Sequence, residues 1–587
     1  LTTTAGAAAP GRIARVLPDV TGLDKQFDYL VPDELVDGID VGAMVRVELH
    51  GRRVGGWVVA LDAAPKAVDV ASLKPIAKLT GRGPGAELID LAGWASTRWA
   101  ARRLRPFLVA ASPPRAVTTV PTARRTAVAP GPSSPATTAL LDGGGGVLRL
   151  PPRTDLLPML LSAVRHGPAL VVVPGHEQAA VLAIRLRRAN VSVAAMPGDW
   201  AAAAGGVDVV IGTRSAAWAP CAGMACAVVV DEHDEALQEE RSPTWHARDV
   251  VVERCRRAGV PYVLVSPAPT LVAVEEYAAD GVVHPPRARE RSGWPLVTVV
   301  DRRDEEPWKR SLVTSPLIER IRDPARRVLC ISNITGRARV LACRTCRALV
   351  RCETCDAAVG LDEATRLVCR RCGTERPAVC QVCGAAAFAN LRPGVARLRE
   401  ELEAAAARPV AALTGAGAAA EGPDPDAAGV VVGTEAALHR MSSADVVAFL
   451  EFDSEMLAPR FRAAEQALAL VVRAGRLAPE VLLQTFVPEH PVVRAARRAD
   501  PSIVVDVERD RRRRLGLPPF GALALVSGQD AGDLVARLPT DVLDVGATGD
   551  GRFLVRAVDW ATMGAAFSAV ERPPGRRVRI EVDPPRI

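Results

Sequence analysis

A chain of 587 residues is far longer than one hydrophobic core can serve, which excludes a single-domain protein and points to four or five domains. With 49% hydrophobic and 24% charged residues, wholesale disorder is excluded, and a net charge of +7, from 74 basic and 67 acidic residues, permits nucleic-acid binding without requiring it. No run of about 18 uncharged apolar residues occurs and Leu1 to Arg12 lacks an apolar signal core, so the expectation is a cytoplasmic protein with no membrane partner.

From Gly11 to about Leu61, short runs rich in Val, Leu and Phe (Val16 to Pro18, Phe27 to Pro32, Met44 to Leu49) are broken by Pro, Gly and Asp, which predicts a small β domain. Ala86 to Ala111 has apolar residues at helical spacing and stops at Ser112-Pro113-Pro114. Val120 to Gly146 is rich in Pro, Ala, Ser and Gly and reads as a linker. From Ala169 onward, buried β-branched runs (Ala169 to Val173, Val207 to Ile211, Ala227 to Val230, Tyr262 to Val265) alternate with amphipathic segments such as Glu177 to Arg188. That alternation is the mark of a parallel α/β sheet. A second such region begins at Arg327 to Ile331 and continues through Gly429 to Val432, Val446 to Leu450 and Val481 to Phe486, and a smaller mixed α/β segment follows Arg514.

Between the first two strands of the second region stand four Cys-x-x-Cys pairs: Cys343 and Cys346, Cys352 and Cys355, Cys369 and Cys372, Cys380 and Cys383. In a reducing compartment such pairs indicate metal rather than disulfides, and eight thiolates suit two closed, structural, tetrahedral Zn²⁺ sites. Spacing leaves three groupings open, of which the nested one, inner pairs together and outer pairs closing around them, is compact. Cys221, Cys226, Cys255 and Cys330 lie apart and read as buried apolar residues.

Asp231 and Glu232 end the apolar run Ala227 to Val230, as the Mg²⁺-holding and water-orienting carboxylates of an ATPase would, although an apolar strand ending in Asp-Glu is also an ordinary structural feature. The phosphate-binding loop that should accompany them is missing. No lysine occurs between Lys78 and Lys309, none of the five lysines (Lys25, Lys66, Lys74, Lys78, Lys309) follows a glycine, and ahead of Ala169 the chain reads Leu148-Arg-Leu-Pro-Pro-Arg-Thr-Asp155. Two prolines remove amide donors there, and without glycine the backbone cannot wrap a phosphate. Arg153 offers charge but no cradle.

Several strings resemble the bacterial primosomal protein N′ family, the PriA replication restart proteins. They are Leu23 to Pro32, Val45 to Gly51, Asp208 to Pro220, Trp245 to Val250, Phe461 to Gln466, Arg473 to Arg476, Pro488 to Pro491 and Arg512 to Gly521, with the eight cysteines as the most specific. The resemblance implies a multidomain α/β fold: residues 1–111 as a small β-rich domain, with a helix, that binds a DNA 3′ end; 112–147 as a linker lacking the family's winged helix; 148–325 and 326–497 as two degenerate RecA-like helicase lobes, the second with a two-zinc insert at 340–390; and 498–587 as an α/β C-terminal domain. It also implies Cys343, Cys346, Cys380 and Cys383 on one zinc and Cys352, Cys355, Cys369 and Cys372 on the other. Phe27, Asp28, Gly51 and Lys74 fall where the family builds its pocket for the terminal nucleotide; a core aromatic and a turn carboxylate are the plain alternatives for the first two.

The departures concentrate where ATP would bind. The DEEH box is shortened to Asp231-Glu232-His233, Ser-Ala-Thr-Pro becomes Ser266-Pro267-Ala268-Pro269, Gly433-Thr434-Glu435 is what remains of a longer motif, and Ala469 and Val472 replace Gln and Gly in the last helicase motif. Arg473 and Arg476 stand at the arginine-finger position, and Arg511 to Arg514 form a run that could neutralise phosphates or be a solvated face. The expectation is a fork-binding protein without ATP as cofactor and with no catalytic residues. Its partners would be branched or forked DNA with a 3′ end, single-stranded DNA-binding protein, the replicative helicase and primosome components. An ATP-dependent 3′–5′ helicase with an atypical ATP site and a zinc-stabilised interaction scaffold are the alternatives.

Overall fold

The computed structural model describes residues 12–62, 72–126, 131–303, 312–332, 341–346, 348–362, 366–369, 371–390, 395–413, 424–425, 427–548, 550–572 and 577–586. Lys66, Lys309 and Leu1 to Gly11 lie outside them. The chain forms two compact units, one of residues Leu1–Leu148, Leu156–Val265 and Phe520–Pro584, the other of Arg149–Asp155, Ser266–Pro519 and Pro585–Ile587.

The first unit opens with five antiparallel strands, β1 (Ile13–Pro18), β2 (Phe27–Leu30), β3 (Met44–Leu49), β4 (Arg52–Leu61) and β5 (Lys78–Gly81), in the order β2-β1-β4-β3-β5. Their alternating inward residues, among them Val16, Tyr29, Val45, Val47 and Val58, make one core. Residues 74–77 close the sheet on itself: Lys74 O accepts from Leu30 N at 3.0 Å, Ile76 N donates to Leu30 O at 2.9 Å, and Ala77 N donates to Arg46 O at 2.9 Å. The result is a small barrel. The β3–β4 connection is the two-residue turn His50-Gly51, both with positive φ (48° and 76°), as a type I′ hairpin requires.

The helix expected over Ala86 to Ala111 is two helices, α1 (Ala86–Arg98) and α2 (Arg105–Ala111), because the chain turns at Ala100, whose φ is 48°. The stretch read as a linker contains a helix, α3 (Pro135–Asp142), capped by Ser134 Oγ accepting from Thr137 N and packed on α4 (Leu157–His166) through Ser134 N donating to Ser162 Oγ at 2.8 Å.

Strands β6 (Gly146–Arg149), β7 (Ala169–Val172), β8 (Val193–Ala195), β9 (Val209–Gly212), β10 (Cys226–Val230) and β11 (Tyr262–Ser266) follow one another across the first large sheet as β6-β11-β10-β7-β9-β8. The paired strands β11, β10, β7, β9 and β8 are parallel, and β7, β9 and β10 are buried throughout, which is why they read as unbroken Val/Ile/Leu/Ala runs. The C-terminal domain is a four-stranded antiparallel sheet (Ala522–Ser527, Asp544–Ala547, Phe553–Ala557, Arg579–Val582) with helix Trp560–Ala569. Its last strand is sutured to residues 238–244: Gln238 Nε2 donates to Asp583 O (2.8 Å), Ser242 Oγ to Ile580 O (2.9 Å) and Thr244 Oγ1 to Val582 O (2.8 Å).

The second unit holds a six-stranded sheet in the order Leu296–Asp301, Glu480–Thr485, Val446–Phe449, Val328–Ile331, Val430–Gly433, Val410–Leu413, every pairing parallel. Its first strand in the chain, Leu296–Asp301, precedes the expected lobe boundary at 326, and helix Ser502–Leu515 packs with this unit rather than with the C-terminal sheet. The fold is thus multidomain α/β, with two parallel sheets of the helicase-lobe type.

Candidate metal centres and nucleic-acid interface

The eight cysteines of the insert gather into two sets, Cys343, Cys346, Cys380, Cys383 and Cys352, Cys355, Cys369, Cys372, with the Sγ atoms of each set within 4.8 Å of one another. This is the nested grouping. Sγ–Sγ separations are 3.5 Å for Cys343–Cys383, Cys346–Cys380 and Cys355–Cys369, and 3.4 Å for Cys352–Cys372. A tetrahedron of thiolates at the usual Zn–S length of about 2.3 Å has edges of about 3.8 Å, so both sets are consistent with zinc. Amides of Cys346 and Thr345 donate to Cys343 and hold its thiol low, while in the inner set hydrogen bonding to Cys369 and burial push Cys355 up. Four thiols so close share protons unless a cation replaces them. The other four cysteines are buried singly, their thiols pushed up by burial, to about 11 for Cys221 and about 12 for Cys226, Cys255 and Cys330.

The inner set is tied to the second sheet's own elements. Ala358 N donates to Leu457 O at 2.7 Å, and Arg371 donates to Cys355 O at 3.2 Å and Ala458 O at 2.9 Å. Nearby, His490 Nδ1 accepts from Val492 N and caps helix Pro491–Arg498; burial, with Arg511, Arg351 and Arg371 around it, pushes its imidazole down to about 3.

In the barrel, Asp28 is a strand residue, not a turn residue. Its oxygens receive Arg15 Nε at 2.8 Å and Nη2 at 3.3 Å from the register partner on β1. With its side chain 3% exposed, Asp28 already has a bidentate partner. Phe27 is half-buried against the barrel core, with Lys25 Nζ 5.4 Å from its ring centre. Lys74 Nζ lies 2.5 Å from Glu48 Oε1 in a half-exposed pair that lowers the Glu48 carboxyl, and Tyr29 Oη donates to Glu48 O at 3.1 Å. The structure therefore brings Lys74 to β2 and to the β3 strand that leads into Gly51. A Cβ at Gly51 would meet nothing within 4 Å, so its glycine is explained by turn φ rather than by crowding.

At the end of β10, Asp231 has φ 55°, outside the ordinary range for a non-glycine residue, and accepts from Gln178 Nε2 at 3.3 Å. Glu232 accepts from Arg248 Nη1 at 3.2 Å, and Arg248 Nε donates to Asp249 at 2.8 Å. Burial alone would raise Asp249, but Arg248, His246 and Arg98 hold it well below the usual carboxylate range. His246 caps its helix by accepting from Arg248 N. Sequence reasoning missed Arg248 as the partner of Glu232; its place in the string Trp245 to Val250, ahead of an acidic neighbour, was the available signal.

Residues 150–154 present no open cradle. Pro151 and Pro152 have no amide hydrogen, and the amides of Leu150, Arg153 and Thr154 donate to Ser266 O (3.2 Å), Gly293 O (3.3 Å) and Pro151 O (3.0 Å). A Cβ on Gly293 would stand 2.4 Å from Pro151 Cβ. Arg153 Nε donates to Gly475 O at 2.9 Å and Arg476 Nε to Pro152 O at 3.3 Å, while Arg473 reaches the His439 ring. Both finger-position arginines are thus engaged with the protein.

The run Arg511 to Arg514 is not a uniform solvated or phosphate-facing surface. Arg512 is fully buried, bonded to Glu465 and, at 3.2 Å, to Glu508, beneath the Phe461 ring; Arg511 pairs with Glu508 at 2.5 Å. A buried arginine is stable only when so paired.

Fold and centres together define a protein with two parallel sheets of the helicase-lobe type, an insert of eight cysteines in two four-cysteine sets, and a β-barrel near its N-terminal end. Residues 15–110 match the 3′DNA-binding domain (3′BD) of PriA. The probable replication restart protein PriA of Mycobacterium tuberculosis is 30% identical over 601 residues, covering 88% of this chain and 87% of that protein. Replication restart protein PriA of Bacillus subtilis is 28% identical over 354 residues, covering 55% of this chain and 43% of that protein, so the chain spans less than half the length of that relative. The DEAH/RHA helicase HrpB of Escherichia coli shares 15% identity at a TM-score of 0.30, over 60% of this chain and 42% of that one, a likeness too slight to carry a statement. The chain belongs to the PriA replication restart protein family.

Proposed function

We propose that the chain binds branched DNA with an exposed 3′ end at stalled or abandoned replication forks in the cytoplasm and promotes reloading of the replicative helicase, without unwinding DNA or hydrolysing ATP. The observation that carries the second half is the condition of residues 150–154, where two prolines and three amides already bonded to protein carbonyls leave nothing to cradle a phosphate. The burial of Glu232 against Arg248 supports it, since a side chain with no exposed surface does not meet the attacking water.

For DNA binding, the support is the match of residues 15–110 to a 3′DNA-binding domain and the family membership. Phe27 would stack on the terminal base, Asp28 would accept from its sugar or base, Gly51 would admit the backbone, and Lys74 would neutralise a phosphate. Each four-cysteine set would hold one structural Zn²⁺, with no open position for catalysis. Single-stranded DNA-binding protein, the replicative helicase and primosome components are the protein partners this role calls for.

The test is DNA-stimulated ATP hydrolysis by the zinc-loaded protein, run beside fork binding in the same buffer. Fork binding with no turnover is the expected result. Turnover abolished by Glu232→Gln would overturn the reading and restore an active helicase.

A further inference from the structure

Strand β3 of the barrel carries an outward carboxylate in basic surroundings. Glu48 stands directly opposite Arg53 on β4, and Arg46, two residues earlier and so on the same face of the strand, stands opposite Lys78 on β5. Arg46, Glu48, Arg53, Lys74 and Lys78 are all exposed. With Lys74 Nζ 2.5 Å from Glu48 Oε1, this side of the barrel sets one carboxylate against four cations. For a surface that meets a polyanion, that carboxylate has the wrong sign.

The pair is anchored at both of its backbones. Glu48 O accepts from Tyr29 Oη at 3.1 Å, and Tyr29 is buried in the barrel core. Lys74 O accepts from Leu30 N at 3.0 Å, and Pro75 bridges to Leu30. Both anchors are thus residues of β2, one and two places beyond Asp28. The hydrogen bond from Lys74, and then its charge, hold the Glu48 carboxyl below its ordinary value, so Glu48 is an anion at neutral pH. The two side chains are 53% and 47% exposed, and an ion pair so open to water does little for stability. Its effect is instead on Lys74, whose charge it cancels where a DNA end would call for a cation.

A DNA strand gives up its condensed counterions to net positive charge, and a lysine already paired with a carboxylate supplies none. The strand gains the Lys74 ammonium only by drawing it off Glu48, and the carboxylate left behind then faces the strand. A terminal sugar hydroxyl can donate to that carboxylate, whereas a phosphate in the same place is repelled. We propose that Glu48 is a specificity-determining residue of the 3′-end site: it holds Lys74 as a neutral pair that any strand must break, and it favours a strand that stops at a hydroxyl over one that carries a further phosphate. The inference rests on the reading of Lys74 as a contact to a DNA 3′ end.

The experiment uses the full zinc-loaded chain, a labelled fork whose exposed 3′ end is a hydroxyl, the same fork ending in a 3′-phosphate, and fluorescence anisotropy over a salt series. Glu48→Gln, which keeps the size and removes the charge, should bind the hydroxyl-ended fork about threefold more tightly, the scale of an exposed ion pair. It should gain more on the phosphate-ended fork, so that the preference for a hydroxyl narrows. Its slope of log K against log salt should be steeper by roughly 0.7–0.9, the amount of one added phosphate contact. Lys74→Gln/Glu48→Gln, which removes both charges, should return to the parent slope. Equal melting temperatures across the three proteins would exclude misfolding as the cause. A parent that binds the hydroxyl-ended fork, beside a Glu48→Gln variant of unchanged affinity and slope, would overturn the inference alone. So would an equal gain on the two forks, which would leave Glu48 no part in choosing the end. A parent that binds neither fork would remove the DNA-binding reading and the inference together.

Discussion

Arg248 Nη1 donates to the Glu232 carboxylate at 3.2 Å, and neither side chain is more than 2% exposed. Arg248 Nε also donates to Asp249, so removing Arg248 leaves two buried carboxylates without their guanidinium, at about 3–5 kcal/mol. Arg248→Met should therefore lower the urea midpoint sharply, and by more than Glu232→Ala, after which Arg248 still serves Asp249. Equal losses in the two variants would show that the shared guanidinium is not what holds this corner.

Metal removal should act through Arg371. The guanidinium joins Cys355 O to Ala458 O, so loss of the inner cluster should loosen the second unit and not the insert alone. Native mass spectrometry should find about two Zn²⁺ per chain, falling to about one in Cys352→Ser/Cys369→Ser. That variant should also melt at lower temperature in the second unit, read by hydrogen exchange at Val446–Phe449.

His490 makes stability pH-dependent. Its folded pKa, about 3, is depressed from 6.5, so the folded state binds fewer protons than the unfolded state and stability is complete only above about 6.5. Below that, each pH unit costs about 1.4 kcal/mol until the folded value is reached. Urea melts at pH 7.5 and 5.5 should differ by about that amount, and His490→Asn, which keeps the helix cap, should flatten the difference.

The barrel separates turn strain from binding. Gly51→Ala forces a side chain into φ 76° and should cost about 1 kcal/mol whether or not DNA is present. Phe27→Leu should leave melting nearly unchanged yet weaken binding to 3′-ended forks about tenfold, in line with about 1–3 kcal/mol for base stacking on an aromatic. Equal binding by Phe27→Leu and the parent would leave Phe27 as a core residue.

What was legible in the sequence follows physical lines. The central strands Ala169–Val172 and Cys226–Val230 are buried on both faces, so they appear as unbroken β-branched and aliphatic runs. The cysteine spacing indicated two four-thiol centres, but their nesting needed the folded antiparallel ribbons that bring Cys343 to Cys383 and Cys352 to Cys372. Helix α3 was hidden by its composition, although Ser134 followed by Pro135 is a helix-start signal. Asp28 and Arg512 could not be understood from the local chain, because their partners, Arg15 and Glu465, come from other elements. Leu296–Asp301 joins the second sheet by a pairing with Glu480–Thr485, a choice made by tertiary contact alone.

The ring of hydrogen bonds that residues 74–77 complete between β2 and β3 has a bearing on how this protein meets its neighbours. An open sheet edge invites another chain to add a strand, and at Leu30 both backbone groups are already taken, the amide by Lys74 O and the carbonyl by Ile76 N. A strand arriving at that end of β2 would first have to displace a segment of the protein's own chain.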